Sequence, residues 1–192
     1  REYAKIIVDE TSRLEEILND TLSFVKRARL DIRPVDITEI VDNIFNLLEP
    51  AALGRGNKLF REIPHPLIIP IDNHRFKEAL LTIVTNANEA ADLGVITVRA
   101  YEADAFTEDT ASKEAIIEIE DNGCGISEDD RGRVFDPFFT TRAAGTGLGL
   151  SITKRIIEEH GGKIEVESKK GEGTKFIIHL PLSNSETKQD AK

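Results

Sequence analysis

Apolar positions in this chain follow three periods. From Arg1 to about Arg33 they recur in sevens: Ile7, Leu14, Thr21 and Ala28 form one series, and Tyr3, Glu10, Ile17 and Phe24 a second. Leu18 and Val25 widen the seam beyond a two-position stripe, which suits a helical bundle better than a simple zipper. A helix of that length cannot bury such a face alone and needs a partner helix. A plain coiled-coil stalk fits the same pattern. Pro34 ends the helix, because the residue before proline is pushed out of the α region. The period then becomes that of ordinary helices. Asp36 caps a second helix through Leu53, with Gly54 and Gly56 as stop signals. Strand candidates at Lys58–Ile63 and Leu67–Ile71 flank a Pro-His-Pro turn. Asp72 caps a third helix, running to about Leu93, whose buried stripe is Phe76, Leu80, Ile83, Ala87 and Ala91.

Further on, the period drops to two. Ile96, Val98 and Ala100 share a face, as do Ala115, Ile117 and Ile119. Ile164 with Val166, and Phe176 with Ile178 and Leu180, repeat the pattern. The partner faces carry Arg99, Glu118, Glu120, Lys163, Glu165 and Lys175. One apolar and one wet face imply a sheet covered by helices on a single side. The predicted fold is α+β, a two-layer α/β sandwich with a mixed sheet, preceded by the long N-terminal helix. The acidic run from Glu102 to Lys113 reads as a hairpin loop, and the polar residues 183–192 as a disordered tail. The predicted organisation is 1–34 helix, 35–182 globular domain, 183–192 tail.

Composition narrows the function. A net charge of −10 over 192 residues argues against non-specific nucleic-acid binding. No run of about 18 apolar residues exists to span a membrane, and the charged N-terminus is no secretory signal. The single Cys124 excludes an intrachain disulfide and suits a reducing, cytoplasmic setting. The absence of methionine suggests a piece of a longer protein, whose upstream part could hold a membrane or sensor segment.

Candidate chemistry concentrates between Asp121 and Leu150, where two glycine clusters, DNGCGI and GTGLGL, flank FDPFFTTR. Glycine clusters mark backbone that bends sharply or approaches a ligand. GTGLGL leads into a helical pattern, Leu148, Ile152, Ile156, and amides at a helix start suit phosphate. Asp121, after the strand-like AIIEIE, can accept a hydrogen bond from an exocyclic amine such as that of adenine. Gly123 and Gly125 beside it allow close approach. The G-x-G-x-G spacing is neither a dinucleotide fingerprint nor a Walker A loop. Upstream, Asn86 sits at the edge of its helix stripe with Thr82 and Glu89. Beside a nucleotide its amide oxygen would be a hard ligand suited to Mg²⁺.

Four ordered boxes, TNANEA, DNGCGI, FDPFFTTR and GTGLGL, resemble the ATP-binding fold of sensor histidine kinases, shared with DNA gyrase B, mismatch-repair ATPases and heat-shock chaperone ATPases. The resemblance covers roughly Pro34 to Leu182, and ITKRIIEEHGGKIEVESKKGEGTKFIIHLP is similar to the kinase branch. It implies ATP and Mg²⁺ as cofactors, Asn86 as metal ligand and Asp121 as adenine reader. Gly123, Gly125, Ile126, Thr141, Gly145, Thr146, Gly147, Leu148, Gly149 and Leu150 complete the implied nucleotide site. Thr174 matches a position near adenine, although a plain strand start explains it as well. Residues from about Asp136 to Thr146 resemble a mobile lid, with Arg142 reaching the γ-phosphate. Phe135, Phe138 and Phe139 are lid anchors or docking contacts, Phe135 equally a core residue. The N-terminal helix resembles the second helix of a dimerisation and phosphoacceptor hairpin. That implies a homodimer in the intact protein and a response-regulator receiver domain as partner.

Two positions depart from the family pattern. ATP-hydrolysing branches carry Glu four residues before the Mg-binding Asn, as general base; here it is Thr82, where many histidine kinases have Asn. Glu89 stands where Lys is frequent. None of His65, His74, His160 and His179 precedes an acidic residue as a phosphoacceptor does, so the acceptor is expected upstream. The rival readings are an ATPase of the gyrase and mismatch-repair type, and a nucleotide-gated module without catalysis.

Overall fold

The computed structural model describes residues 11, 29–64, 66–107, 110–142 and 145–182, with the backbone alone at 105–107 and 110–112. Most of the expected N-terminal helix, the 183–192 tail and His65 lie outside the described residues. In chain order the elements are β1 (Arg33–Asp36), α1 (Ile37–Gly54), β2 (Lys58–Glu62), β3 (Ile68–Ile71) and α2 (Asn73–Ala90). They continue as β4 (Val95–Thr107), β5 (Thr110–Asp121), α3 (Glu128–Arg131), α4 (Gly149–Glu159), β6 (Lys163–Lys169) and β7 (Gly173–Pro181).

The main sheet is mixed, in the order β2-β4-β5-β7-β6. Only β2 and β4 run parallel; the other pairs are antiparallel. The period-two residues behave as their alternation demands. Ile96, Val98, Ala100, Ala115, Ile117, Ile119, Ile178 and Leu180 are at most 1% exposed. Against them pack Ile37, Ile40, Val41 and Ile44 of α1 and Phe76, Leu80, Ile83 and Ala87 of α2, in one cluster with Ile157 of α4. The opposite face stays wet and carries ion pairs, Arg99 with Glu62 and Glu120 among them. The two-layer sandwich follows.

Both aspartate caps are in place. Asp36 accepts the Thr38 N–H at 2.9 Å, and Asp72 the Arg75 N–H at 3.1 Å. His160, just past α4, ties that helix to the start of α2. Its Nε2 accepts the Asp72 N–H at 3.0 Å, so Nδ1 carries the proton and donates to the Ile156 carbonyl at 2.7 Å.

Three expectations need correction. First, the chain near Pro34 is not the end of a helix. Residues 29–32 have no regular structure, and β1 pairs antiparallel with β3 in a separate two-stranded sheet, Pro34 opposite Pro70. The extended backbone that proline favours is used for pairing, and proline's missing N–H is tolerated on such a small ribbon. Second, α2 stops at Ala90 rather than near Leu93. The buried Asn57 side chain donates to the carbonyls of Asn88 at 3.0 Å and Ala91 at 2.9 Å, supplying the partners that another helical turn would have given. Third, the described part of the acidic run, to Thr107 and from Thr110, is strand rather than loop. β4 and β5 stay in register to Thr107 opposite Thr110, with Glu102 and Lys113 paired at 3.1 Å beside them.

Candidate functional site

The predicted site residues gather around the C-terminal half of α2 in two groups. The first faces α4 and the segment before it. Asn86 points its side-chain oxygen at Arg142, whose Nη1 donates to it at 2.8 Å, while Nη2 donates to the Asn86 backbone carbonyl at 3.2 Å. The same guanidinium forms an ion pair with Glu89. An amide oxygen and a carboxylate, one turn of helix apart, thus converge on one cation. Hard oxygen donors so placed fit Mg²⁺ as well as they fit guanidinium. One turn before Asn86, the Thr82 hydroxyl donates to the Glu78 carbonyl at 3.1 Å. A Cβ on Gly149 would sit 3.1 Å from the Thr82 methyl carbon, so α4 starts directly against α2.

The glycine loop is fastened to the segment expected to form the lid. Gly147 has φ +71°, and a Cβ there would lie 2.5 Å from the Phe138 carbonyl carbon. Thr140 accepts the Arg142 N–H at 3.1 Å, and Gly145 packs on its hydroxyl, where a Cβ would meet Oγ1 at 2.6 Å. Thr146 accepts the Leu148 N–H at 3.3 Å. Leu148 is the N-cap residue of α4 and gives it no side-chain cap. The side chains of Leu148 and Leu150 belong to the core, so only their backbone can serve a ligand. Thr141 is exposed beside Arg142. Of the three phenylalanines, Phe135 packs on the core, edge-to-face with Phe176; Phe139 lies under the Arg133 guanidinium; Phe138 is 70% exposed.

The second group lies beyond Ala90. The Ala90 carbonyl accepts the Cys124 N–H at 3.0 Å, and a Cβ on Gly123 would meet that carbonyl at 2.4 Å. Only glycine lets the loop after β5 approach this closely. Asp121 is buried, and its Oδ1 accepts the Gly123 N–H at 2.8 Å. Burial pushes its carboxyl above the ordinary range; the Gly123 and Thr174 amides pull the other way, and Glu120 adds to the rise. Thr174, also buried, stands opposite Asp121 on β7. Gly125, with φ +65°, packs on the Lys169 carbonyl, and the Ile126 N–H donates to Ser168 at 2.8 Å. A shallow opening of about 430 Å³ lies at this end of the sheet; besides Asp121, Ser168 and Thr174 its lining is mostly charged, with Glu120, Arg131, Glu167, Lys169, Glu172 and Lys175, and it reaches neither Asn86 nor the glycines at 123, 125, 145, 147 and 149.

Sequence reasoning missed Ser168 and Gly173, and the pairing of Arg142 with Glu89. Gly173, at φ +111°, leaves room for the Asp121 carbonyl, which a Cβ would meet at 2.0 Å. Its place in GEGT was the available signal.

Comparison with known proteins fits this geometry. Residues 71–184 match the model of the histidine kinase-, DNA gyrase B-, and HSP90-like ATPases. The chain belongs to that family. Among curated relatives, the sensor histidine kinase ZraS of Salmonella typhi is 36% identical over 183 residues, 94% of this chain. The chain spans 38% of the length of that relative. The solved catalytic domain of the histidine kinase ThkA superposes with a TM-score of 0.68 at 30% identity, covering 80% of this chain and 97% of ThkA's domain. ThkA in complex with the response regulator protein TrrA gives 0.75 at 30% identity, covering 95% of this chain and 51% of that one. Full-length ShkA in complex with AMPPNP gives 0.79 at 26% identity, covering 95% and 39%. The chain carries the ATP-binding catalytic part of a histidine kinase of this family.

Proposed function

We propose that this chain binds Mg·ATP between α2 and the lid and presents the γ-phosphoryl to a histidine on a partner helix. From there the phosphoryl passes to the aspartate of a response-regulator receiver domain. The observation that carries the reading is the convergence of Asn86 and Glu89 oxygens on one cationic point beside the uncapped start of α4. Asn86 would hold Mg²⁺, which neutralises phosphate charge when bound. The backbone from Gly145 to Leu150 would line the phosphates, and Arg142 would exchange its Asn86 contact for the γ-phosphate. Asp121 would accept from the adenine amine, with Gly123, Gly125 and Ile126 in the loop that follows it and Thr174 beside it. Thr141 and Thr146 would border the phosphates.

Phosphoryl transfer needs positioning and charge neutralisation rather than a base for water. Thr82 supports that division, since its hydroxyl is spent on the Glu78 carbonyl and carries no carboxylate. The ATPase reading has no general base at this position. The N-terminal seam supports a homodimer in the intact protein, and the single exposed cysteine a cytoplasmic setting. Among the described residues, no helix is long and apolar enough to cross a membrane.

The test is label transfer from γ-labelled ATP in the longer protein that carries this chain and an upstream helix. Acid-labile label on protein with little free phosphate is the expected result, and Asn86→Ala should reduce it at least a hundredfold. Rapid free phosphate without protein label would assign the chain to the ATPases.

A further inference from the structure

We propose that Ser168, through Thr174, decides which purine the site accepts; the inference rests on the adenine-site reading above. β5, β7 and β6 bring Asp121, Thr174 and Ser168 into one cross-strand row, Thr174 standing opposite both of the others. The neighbouring row is apolar, Ile119, Phe176 and Val166. All three polar residues line the opening.

Ser168 Oγ has three polar neighbours. It receives the Ile126 N–H at 2.8 Å, lies 2.7 Å from the Gly173 carbonyl oxygen, and 3.0 Å from Thr174 Oγ1. A hydroxyl has one proton and two acceptor positions. The Ile126 amide can only donate and the Gly173 carbonyl can only accept, so the single Ser168 proton goes to Gly173. The bond between the two hydroxyls therefore runs from Thr174 to Ser168. Thr174 is left with lone pairs alone for anything resting on the row, and the Asp121 carboxylate beside it is an acceptor too. A row of acceptors matches the amino group of a 6-aminopurine. It repels the carbonyl oxygen of a 6-oxopurine, and a site with committed polar groups rejects the mismatched ligand strongly. Without the Ser168 hydroxyl, Thr174 can turn and donate to that carbonyl. Ser168 is thus a positioning residue, acting through the direction of one proton.

The test compares equilibrium binding of ATP and inosine triphosphate, both with Mg²⁺, to the 192-residue chain. These nucleotides differ only at positions 1 and 6 of the purine. The unaltered chain should prefer ATP, and Ser168→Ala should narrow the ATP-to-inosine ratio by about tenfold. Ser168→Thr keeps the hydroxyl and should restore the ratio. If Ser168→Ala does not fold, as thermal unfolding will show, Ser168→Cys is read in the same way, because a thiol is a poor donor to Gly173. A variant that weakens both nucleotides equally, or leaves the ratio unchanged, overturns the proposal. Asp121→Asn separates the two levels. If it collapses ATP affinity while Ser168→Ala leaves the ratio alone, only the role of Ser168 falls. If Asp121→Asn leaves ATP binding intact, or the unaltered chain shows no preference, the adenine-site reading falls and the proposal with it.

Discussion

Burial lowers the pKa of His160 below its ordinary 6.5, because an imidazolium between α4 and α2 would lose its hydration. The Ile156 carbonyl, Asp72 and Glu159 oppose that shift and Arg75 reinforces it. The folded chain therefore binds fewer protons here than the unfolded one. The stability that His160 supplies is complete above about pH 6.5 and is lost as the pH falls from there toward the folded value. Protonation would also put a proton on Nε2, which now accepts the Asp72 N–H. Urea midpoints should fall between about pH 7.5 and pH 5.5, and His160→Gln should remove that part of the slope. At the upper pH the substitution should cost about 1–2 kcal/mol, the usual penalty for disturbing a buried hydrogen bond. An unchanged slope in the variant would show that His160 is not the titrating group. Asp121 works in the opposite sense: its raised pKa favours the fold at low pH, and that contribution fades as the pH climbs through the folded value. Residues of this kind differ in how far the sequence discloses them. Asp121 is legible because its glycines stand next to it. Ser168 is not, since its partner amide comes 42 positions earlier, and nothing in a strand serine predicts that. Glu89 stood out by type, but its partner Arg142, 53 positions on, became visible only in the fold.

The elements were easiest to read where a period met a cap. α1 and α2 begin at their aspartates because the cap is a local event, settled within three residues. Where α2 ends was hidden, since Asn57 comes from the far side of the α1–β2 turn to take up its last carbonyls. β1 was hidden for the same reason, as its strand character depends on pairing with β3. The glycine loop is the element whose geometry bears most directly on the proposed function. Gly147→Ala forces a side chain into φ +71° and against the Phe138 backbone, 2.5 Å away. The lid and the loop should part, raising the Kd for Mg·ATP about tenfold or more. Thermal unfolding should shift by only a few degrees, because the clash lies between two surface segments. Gly54→Ala is the matching control: no atom lies within 4 Å of the new Cβ, so binding should not change and stability should hold or rise by about 0.5 kcal/mol. Equal losses of binding in the two variants would show that the lid–loop contact is not what Gly147 provides.

At the scale of the whole molecule, the reading proposed above makes the sheet and its helices a holder for a nucleotide, with the nucleophile expected from a partner helix. Of the three described histidines, two are engaged within the fold and the third is exposed without an acidic neighbour after it. Both ring nitrogens of His160 are hydrogen-bonded in the core. His179 lies in β7 with Nδ1 3.3 Å from Glu114. His74 is exposed at the start of α2, followed by Arg75 rather than by an acidic residue. His65, followed by Pro66, lacks the acidic neighbour too. The two-layer fold could be inferred from alternation along the strands, because a sheet with one wet face allows helices on the other side only. That the chain lacks a phosphoacceptor is an expectation of the same reading, resting on which residue follows each histidine. The 192-residue chain should therefore bind Mg·ATP yet take up no acid-labile label from γ-labelled ATP, and it should release free phosphate only slowly, Thr82 being unable to activate water. Supplying a separate helical hairpin that bears a histidine followed by an acidic residue should bring label onto that hairpin and leave this chain unlabelled. Phosphohistidine on the chain itself would mean that one of its four histidines reaches the nucleotide, and the division between nucleotide holder and acceptor helix would have to be given up.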